Sequence, residues 1–77
     1  MPHIVVKMHA GRSEEDKAKL AEALSQALMS VLGSPEKVVS VGIEDIAPAD
    51  WPQAVYKPDI LDKSATLYKK PGYNPFA

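Results

Sequence analysis

Pro2 follows Met1 directly, at the head of a run of β-branched residues. Cells generally trim an initiator methionine that precedes so small a residue. Trimming leaves Pro2 with a free secondary amine, whereas an internal proline nitrogen is an amide with no proton to exchange. A terminal proline can therefore act as a general base without using a side chain. It does so only in molecules that have lost Met1. His3, next in the chain, is placed to pack or hydrogen-bond beside that terminus. Arg12 follows the first predicted strand in a loop and is the best-placed cation of the chain. Trp51 is the one tryptophan and serves either as a packing residue or as the apolar wall of a pocket. Lys69 and Lys70 sit at the end of a predicted helix, where the helix dipole favours positive charge.

Other chemistries lack their residues. The chain has no cysteine, so it holds no thiolate nucleophile, disulfide or thiolate metal site. It has no P-loop and no glycine-rich dinucleotide turn. None of its six serines lies in a nucleophile elbow. His3 and His9 share strand parity, but six residues of strand separate them by roughly 20 Å. They cannot hold one metal ion within a chain. Nine basic and ten acidic residues give a formal charge of −1, without the basic stripe of a nucleic-acid-binding domain. No apolar run approaches the length of a membrane span. The start MPHIVVKMH lacks the basic and long apolar segments of a signal peptide. These features lead to the expectation of a cytoplasmic protein that binds neither nucleic acid nor membrane.

The elements that must position these residues follow from periodicity. Seventy-seven residues are expected to form one domain over 1–77. A chain this short buries only about 60% of its extended surface. Without disulfides, oligomerisation is the remaining remedy. HIVVKM, over 3–8, reads as a strand with Ile4, Val6 and Met8 on one face and His3, Val5 and Lys7 on the other. Ser13 is a good N-cap, and Asp16 three residues on completes a pattern like a capping box. Leu20, Leu24, Leu28 and Val31 or Leu32 recur at helical spacing, which predicts a helix over 14–32. Gly33 ends it in a left-handed turn. Val39, Val41 and Ile43 alternate with Ser40, Gly42 and Glu44, which predicts a second strand over 38–46. Two strands joined by such a crossover are parallel and right-handed. The class is α/β (α+β), a β-α-β unit whose second sheet face is covered by another subunit. APADWPQAVY, over 47–56, reads as irregular or as a short helical turn. Pro58 opens a second helix to about Lys69, with Ile60, Leu61, Ala65 and Tyr68 on one face.

These residues, in this order and spacing, resemble the tautomerase superfamily, in particular proteins like 4-oxalocrotonate tautomerase. The resemblance rests on Pro2 behind Met1, on Gly11-Arg12-Ser13 and the acidic start of the helix, on the leucine-alanine helix, and on Ser34-Pro35 and VVSVGIEDI. It covers about the first 50 residues. The second half, with Trp51 and Lys69-Lys70-Pro71-Gly72-Tyr73, is similar to a subgroup typified by a dimeric bacterial phenylenolpyruvate tautomerase. The resemblance implies a keto–enol isomerase for a small 2-oxo acid or its enol, such as phenylenolpyruvate or 2-hydroxymuconate. Pro2 would be the base, Arg12 would hold the carboxylate, and Trp51 would wall the pocket. A cation beside an amine in an apolar pocket lowers its hold on a proton. Moving a proton between oxygen and carbon calls for no cofactor or metal. A homodimer is expected, with hexamer or trimer as alternatives.

The chain departs from the family pattern at Ser40, where hexameric members carry an arginine that supports the enolate oxygen. Losing such a donor costs on the order of 3 kcal/mol. Ser40 offers a hydrogen bond but no charge, so either His3, Tyr68, Lys69 or Lys70 replaces the arginine or the activity is weak or different. The alternatives to a tautomerase are a non-catalytic ligand-binding or interaction module, and a dehalogenase-type hydratase of the superfamily.

Overall fold

The computed structural model describes residues 1–77, which divide into two compact units, Met1–Asp45 and Ile46–Ala77. The first unit holds β1 (His3–His9), α1 (Glu14–Leu32), a single 3₁₀ turn (Glu36–Val38) and β2 (Ser40–Ile46), whose last residue opens the second unit. β1 and β2 pair as a parallel two-stranded sheet, in the expected β-α-β arrangement.

Local chemistry sets the ends of α1. Ser13 is extended (φ −70°, ψ 159°) and its hydroxyl accepts from the Asp16 amide at 3.1 Å, which satisfies one of the helix's orphan donors. Glu14, Glu15 and Asp16 place negative charge on the first turn, where the dipole favours it. Gly33 takes the left-handed conformation (φ 71°) and its amide reaches the Met29 carbonyl at 2.9 Å. A side chain there would be strained, so glycine stops the helix.

The covered stripe of α1 is Lys17, Leu20, Ala21, Leu24, Ser25, Leu28 and Met29, each half-buried. Its spacing is helical, as expected. Neither Val31 nor Leu32 continues it: they are 81% and 64% exposed. A helix of 19 residues is roughly 28 Å long and a strand of seven roughly 23 Å. The last helical turn has no strand beneath it.

The alternation read in β1 holds as far as Val6, and Lys7 beyond it is half-buried although it belongs to the other face. Ile4, Val6 and Met8 are half-buried, while His3 is exposed and Val5 is 46% exposed. The face of β1 that carries His3 and Val5 has no layer over it within this unit. The second strand starts at Ser40, not at Val38. The amides of Val38 and Val39 bond to Pro35 and Glu36 in the 3₁₀ turn, so the turn, not the sheet ladder, claims those donors.

Lys17 ties the helix to the second strand. Its Nζ lies 2.9 Å from Asp45 Oδ2 and 2.9 Å from Glu14 Oε1. The hydrogen bond to Asp45, followed by that to Glu14, raises the Lys17 pKa above 10.5.

The second unit has its own small core, Val55 and Tyr56, each 4% exposed. They lie on a π-helical segment, Pro52–Leu61. The second helix expected from sequence is present, but it starts at Pro52 instead of Pro58, is wider than an α-helix, and stops at Leu61. Pro58 lies inside it. In an α-helix the Pro58 ring would strike the carbonyl four residues back, and the bond its nitrogen should donate would be lost. A wider turn relieves that clash, and the segment closes with Asp62 N–H donating to Lys57 O at 2.9 Å, five residues back. Beyond it come a 3₁₀ turn, Ser64–Thr66, and irregular chain. Asn74 then turns the C-terminus: its side chain accepts from the Phe76 amide at 2.8 Å. That turn brings Phe76 edge-on to Tyr56, with ring centroids 6.0 Å apart. The Tyr56 hydroxyl donates to the Tyr73 carbonyl at 2.7 Å. No helix is long and apolar enough to cross a membrane.

A raised lysine pKa stabilises the fold below the lysine's ordinary pKa and loses that contribution as pH rises through the folded value. Lys17→Met is therefore expected to melt below wild type at pH 7 to 9. The gap should close as pH is taken past 10.5 and beyond. Circular-dichroism melts across that range check it, and a gap that does not change with pH would contradict the assignment.

Candidate active site

The parallel pairing brings the head of β1 against the start of β2. The Ser40 amide donates to the Pro2 carbonyl at 3.3 Å. A residue's own nitrogen and carbonyl oxygen are under about 4 Å apart. The Pro2 nitrogen thus lies within roughly 7 Å of the Ser40 backbone. Pro2 is half-buried, while Met1 is 98% exposed. Losing Met1 would cost almost no packing.

His3 and Ser40 share the open face of the sheet and touch. His3 Nδ1 and Ser40 Oγ are 2.6 Å apart. Gly42 follows two residues along β2 on the same face, and a methyl group there would sit 3.9 Å from His3 Cε1. Its absence leaves that flank of the imidazole uncovered. Two of the candidate residues, His3 and Ser40, are thus brought together beside Pro2.

Arg12 stands elsewhere. Gly11 (φ 124°) turns the chain out of β1 in a conformation that favours glycine, and exposed Arg12 follows. Arg12, Met8, Asp16 and Leu20 line an open cleft of about 300 Å³. The cleft combines one guanidinium, one carboxylate and two apolar side chains. Its lining had a sequence signal: residues 12, 16 and 20 are spaced by four, and Met8 ends the helix-facing row of β1. Pro2 precedes a seven-residue strand, roughly 23 Å long, and Arg12 follows it.

The remaining candidates belong to the second unit. Trp51 is half-buried and its indole N–H donates to the Tyr73 hydroxyl at 2.8 Å. Tyr73 thereby joins Trp51 to Tyr56, a link with no signal in local periodicity. Tyr68, Lys69 and Lys70 are exposed. Because the helix ends at Leu61, Tyr68 is not on an apolar helix face and the two lysines are not at a helix terminus. The dipole account of them lapses. Lys70 instead edges a cavity of about 180 Å³ whose walls include Tyr56, Ile60, Leu67 and Pro71.

The first unit is thus a parallel β-α-β unit with a proline at the head of its first strand and His3 and Ser40 beside it. Comparison with known proteins places it. A family model described as tautomerase enzyme matches residues 2–56. A probable tautomerase of Xylella fastidiosa is 47% identical over 77 residues, spanning 100% of this chain and 94% of that protein. Tautomerase PptA of Pectobacterium carotovorum is 45% identical over 76 residues, spanning 96% of this chain and 99% of its own length. Among solved structures, TomN, a 4-oxalocrotonate tautomerase homologue of the tomaymycin biosynthetic pathway, matches with a TM-score of 0.63 and 40% identity, over 65% of this chain and 77% of that one. An apo unfused 4-OT matches with a TM-score of 0.62 and 43% identity, over 64% and 80%. The chain belongs to the tautomerase family, on its PptA-like branch, and is an isomerase.

Proposed function

We propose that the protein interconverts the enol and keto forms of a small 2-oxo acid, such as phenylenolpyruvate or 2-hydroxymuconate, with the Pro2 amine as general base once Met1 is removed. The observation that carries this reading is the position of Pro2: half-buried at the strand head, within a backbone hydrogen bond of Ser40, in a chain of this family. The neutral amine takes the proton of the enol hydroxyl and a proton is returned to carbon. One bond to hydrogen breaks at oxygen and one forms at carbon, so the chemistry balances without another reactant.

Arg12 suits the carboxylate of such a substrate, because its planar fork pairs with both oxygens. Pro2 and Arg12 lie at opposite ends of β1, so a site that uses both takes its arginine from a second copy of the chain. Two further observations favour a homodimer over a monomer. No residue of Met1–Asp45 is fully buried, and Val5, on the sheet face turned away from α1, is 46% exposed. A unit without a closed core gains stability by covering that face. Trp51 is assigned to the apolar wall of the site, and a trimer or hexamer would meet the same demand for cover.

The test of the base is direct. In methionine-free protein, Pro2→Ala is expected to lower kcat/KM for phenylenolpyruvate ketonisation by a factor on the order of 10² to 10⁴. A variant as fast as wild type would overturn the reading. Light scattering at micromolar concentration checks the assembly: twice the chain mass of 8.3 kDa is expected, and a monomer would contradict it.

A further inference from the structure

We propose that Ser40 donates the hydrogen bond that receives the enolate oxygen, and that His3 is the positioning residue that decides whether the Ser40 proton is free to do so. The inference rests on Pro2 being the base and adds to it the group that receives the charge left on oxygen.

A base at Pro2 leaves negative charge developing on the substrate oxygen, and that charge calls for a fixed donor. The amine that takes the hydroxyl proton and the donor that receives the charge meet at one oxygen, and two hydrogen bonds to one oxygen span at most roughly 6 Å. The site therefore needs its donor on the strand next to the amine. On β2 that position is Ser40, whose amide already bonds to the Pro2 carbonyl at 3.3 Å.

A serine hydroxyl has one proton and two lone pairs. The 2.6 Å contact with His3 Nδ1 contains one proton between the two heavy atoms, and its origin matters. When Nδ1 is bare, the serine proton points at the imidazole and only lone pairs face the substrate. When Nδ1 carries hydrogen, it donates to Oγ, and the serine proton turns outward. The imidazolium always carries hydrogen on Nδ1. Protonation of a ring that is otherwise bare at Nδ1 thus converts Ser40 from an acceptor into a donor and places a positive charge behind it.

The two ends of the site make opposite demands on pH. The Pro2 amine works only without its extra proton, which gives the acid limb. Ser40 donates only while Nδ1 of His3 carries hydrogen, so loss of that hydrogen gives the alkaline limb. The other titratable groups that share this face by strand parity are Lys7 and His9 on β1 and Glu44 on β2. Lys17 and Asp45 pair with each other on the helix side.

The test uses methionine-free full-length protein and phenylenolpyruvate, with kcat/KM followed from pH 5 to 9. Ser40→Ala is expected to lose about tenfold at neutral pH and to lose the alkaline decline. His3→Asn puts an amide nitrogen near the place of Nδ1 that can donate at every pH. It is expected to keep most of the wild-type rate near pH 6 and to show no alkaline decline. Glu44→Gln should keep the decline. Ser40→Ala at the wild-type rate, or a decline that survives in His3→Asn, would overturn the proposal even with Pro2→Ala inactive. Pro2→Ala at the wild-type rate would overturn the base itself and the role given to Ser40 with it.

Discussion

The length match between β1 and α1 is the constraint on which the rest of the first unit depends. A strand of about 23 Å carries the chain away from Pro2, and a helix of about 28 Å carries it back. The return ends beside the strand's own beginning, so the next strand runs parallel and starts at Ser40. The caps hold this measure. Ser13 and Gly33 stop α1 at 19 residues, and another full turn would carry the exit about 5 Å further on. The backbone bond between Ser40 and Pro2 is the product of that arithmetic. So is the chance for a serine and a histidine 37 residues apart to touch.

The same geometry leaves a debt. One helix covers one face of a two-stranded sheet, and the other face stays open. The first unit keeps its stripe of leucines only half-buried, and Lys17 with Asp45 and Glu14 supplements what packing does not. The second unit is differently built: Val55 and Tyr56 are buried, Tyr73 and Phe76 pack on the Tyr56 ring, and Asn74 turns the tail to make that possible. The candidate groups Pro2, His3 and Ser40 stand at the rim of the sheet face that the first unit leaves uncovered.

Features with a local cause were legible in the sequence. The N-cap at Ser13, the stop at Gly33, and the alternation of Ile4, Val6 and Met8 depend on neighbours within a few residues. What the sequence hid was decided by lengths and by distant partners. Val31 and Leu32 are apolar and in phase, yet nothing lies under them, because the helix outruns the strand. Pro58 has the signature of a helix start, but a π-helical turn accommodates it inside the segment, so the second helix moves six residues toward the N-terminus. Pro2, His3, Arg12 and Ser40 were all recognisable as chemically apt. Which of them meet was not, since the pairing of β1 with β2 is a tertiary event, and it joins His3 with Ser40 while holding Arg12 a strand's length away.

The central claim is that the nitrogen of Pro2 is the reacting group. An α-halo 2-oxo acid such as bromopyruvate tests it most directly. It alkylates an unprotonated amine, forming a carbon–nitrogen bond as bromide leaves, and it carries the carboxylate that the site is expected to hold. Peptide mapping by mass spectrometry should then find a single adduct on the terminal nitrogen of the methionine-free chain, with labelling slowed by an unreactive 2-oxo acid. Labelling confined to histidine or lysine side chains, or a terminal nitrogen left unmodified while activity is lost, would contradict the account.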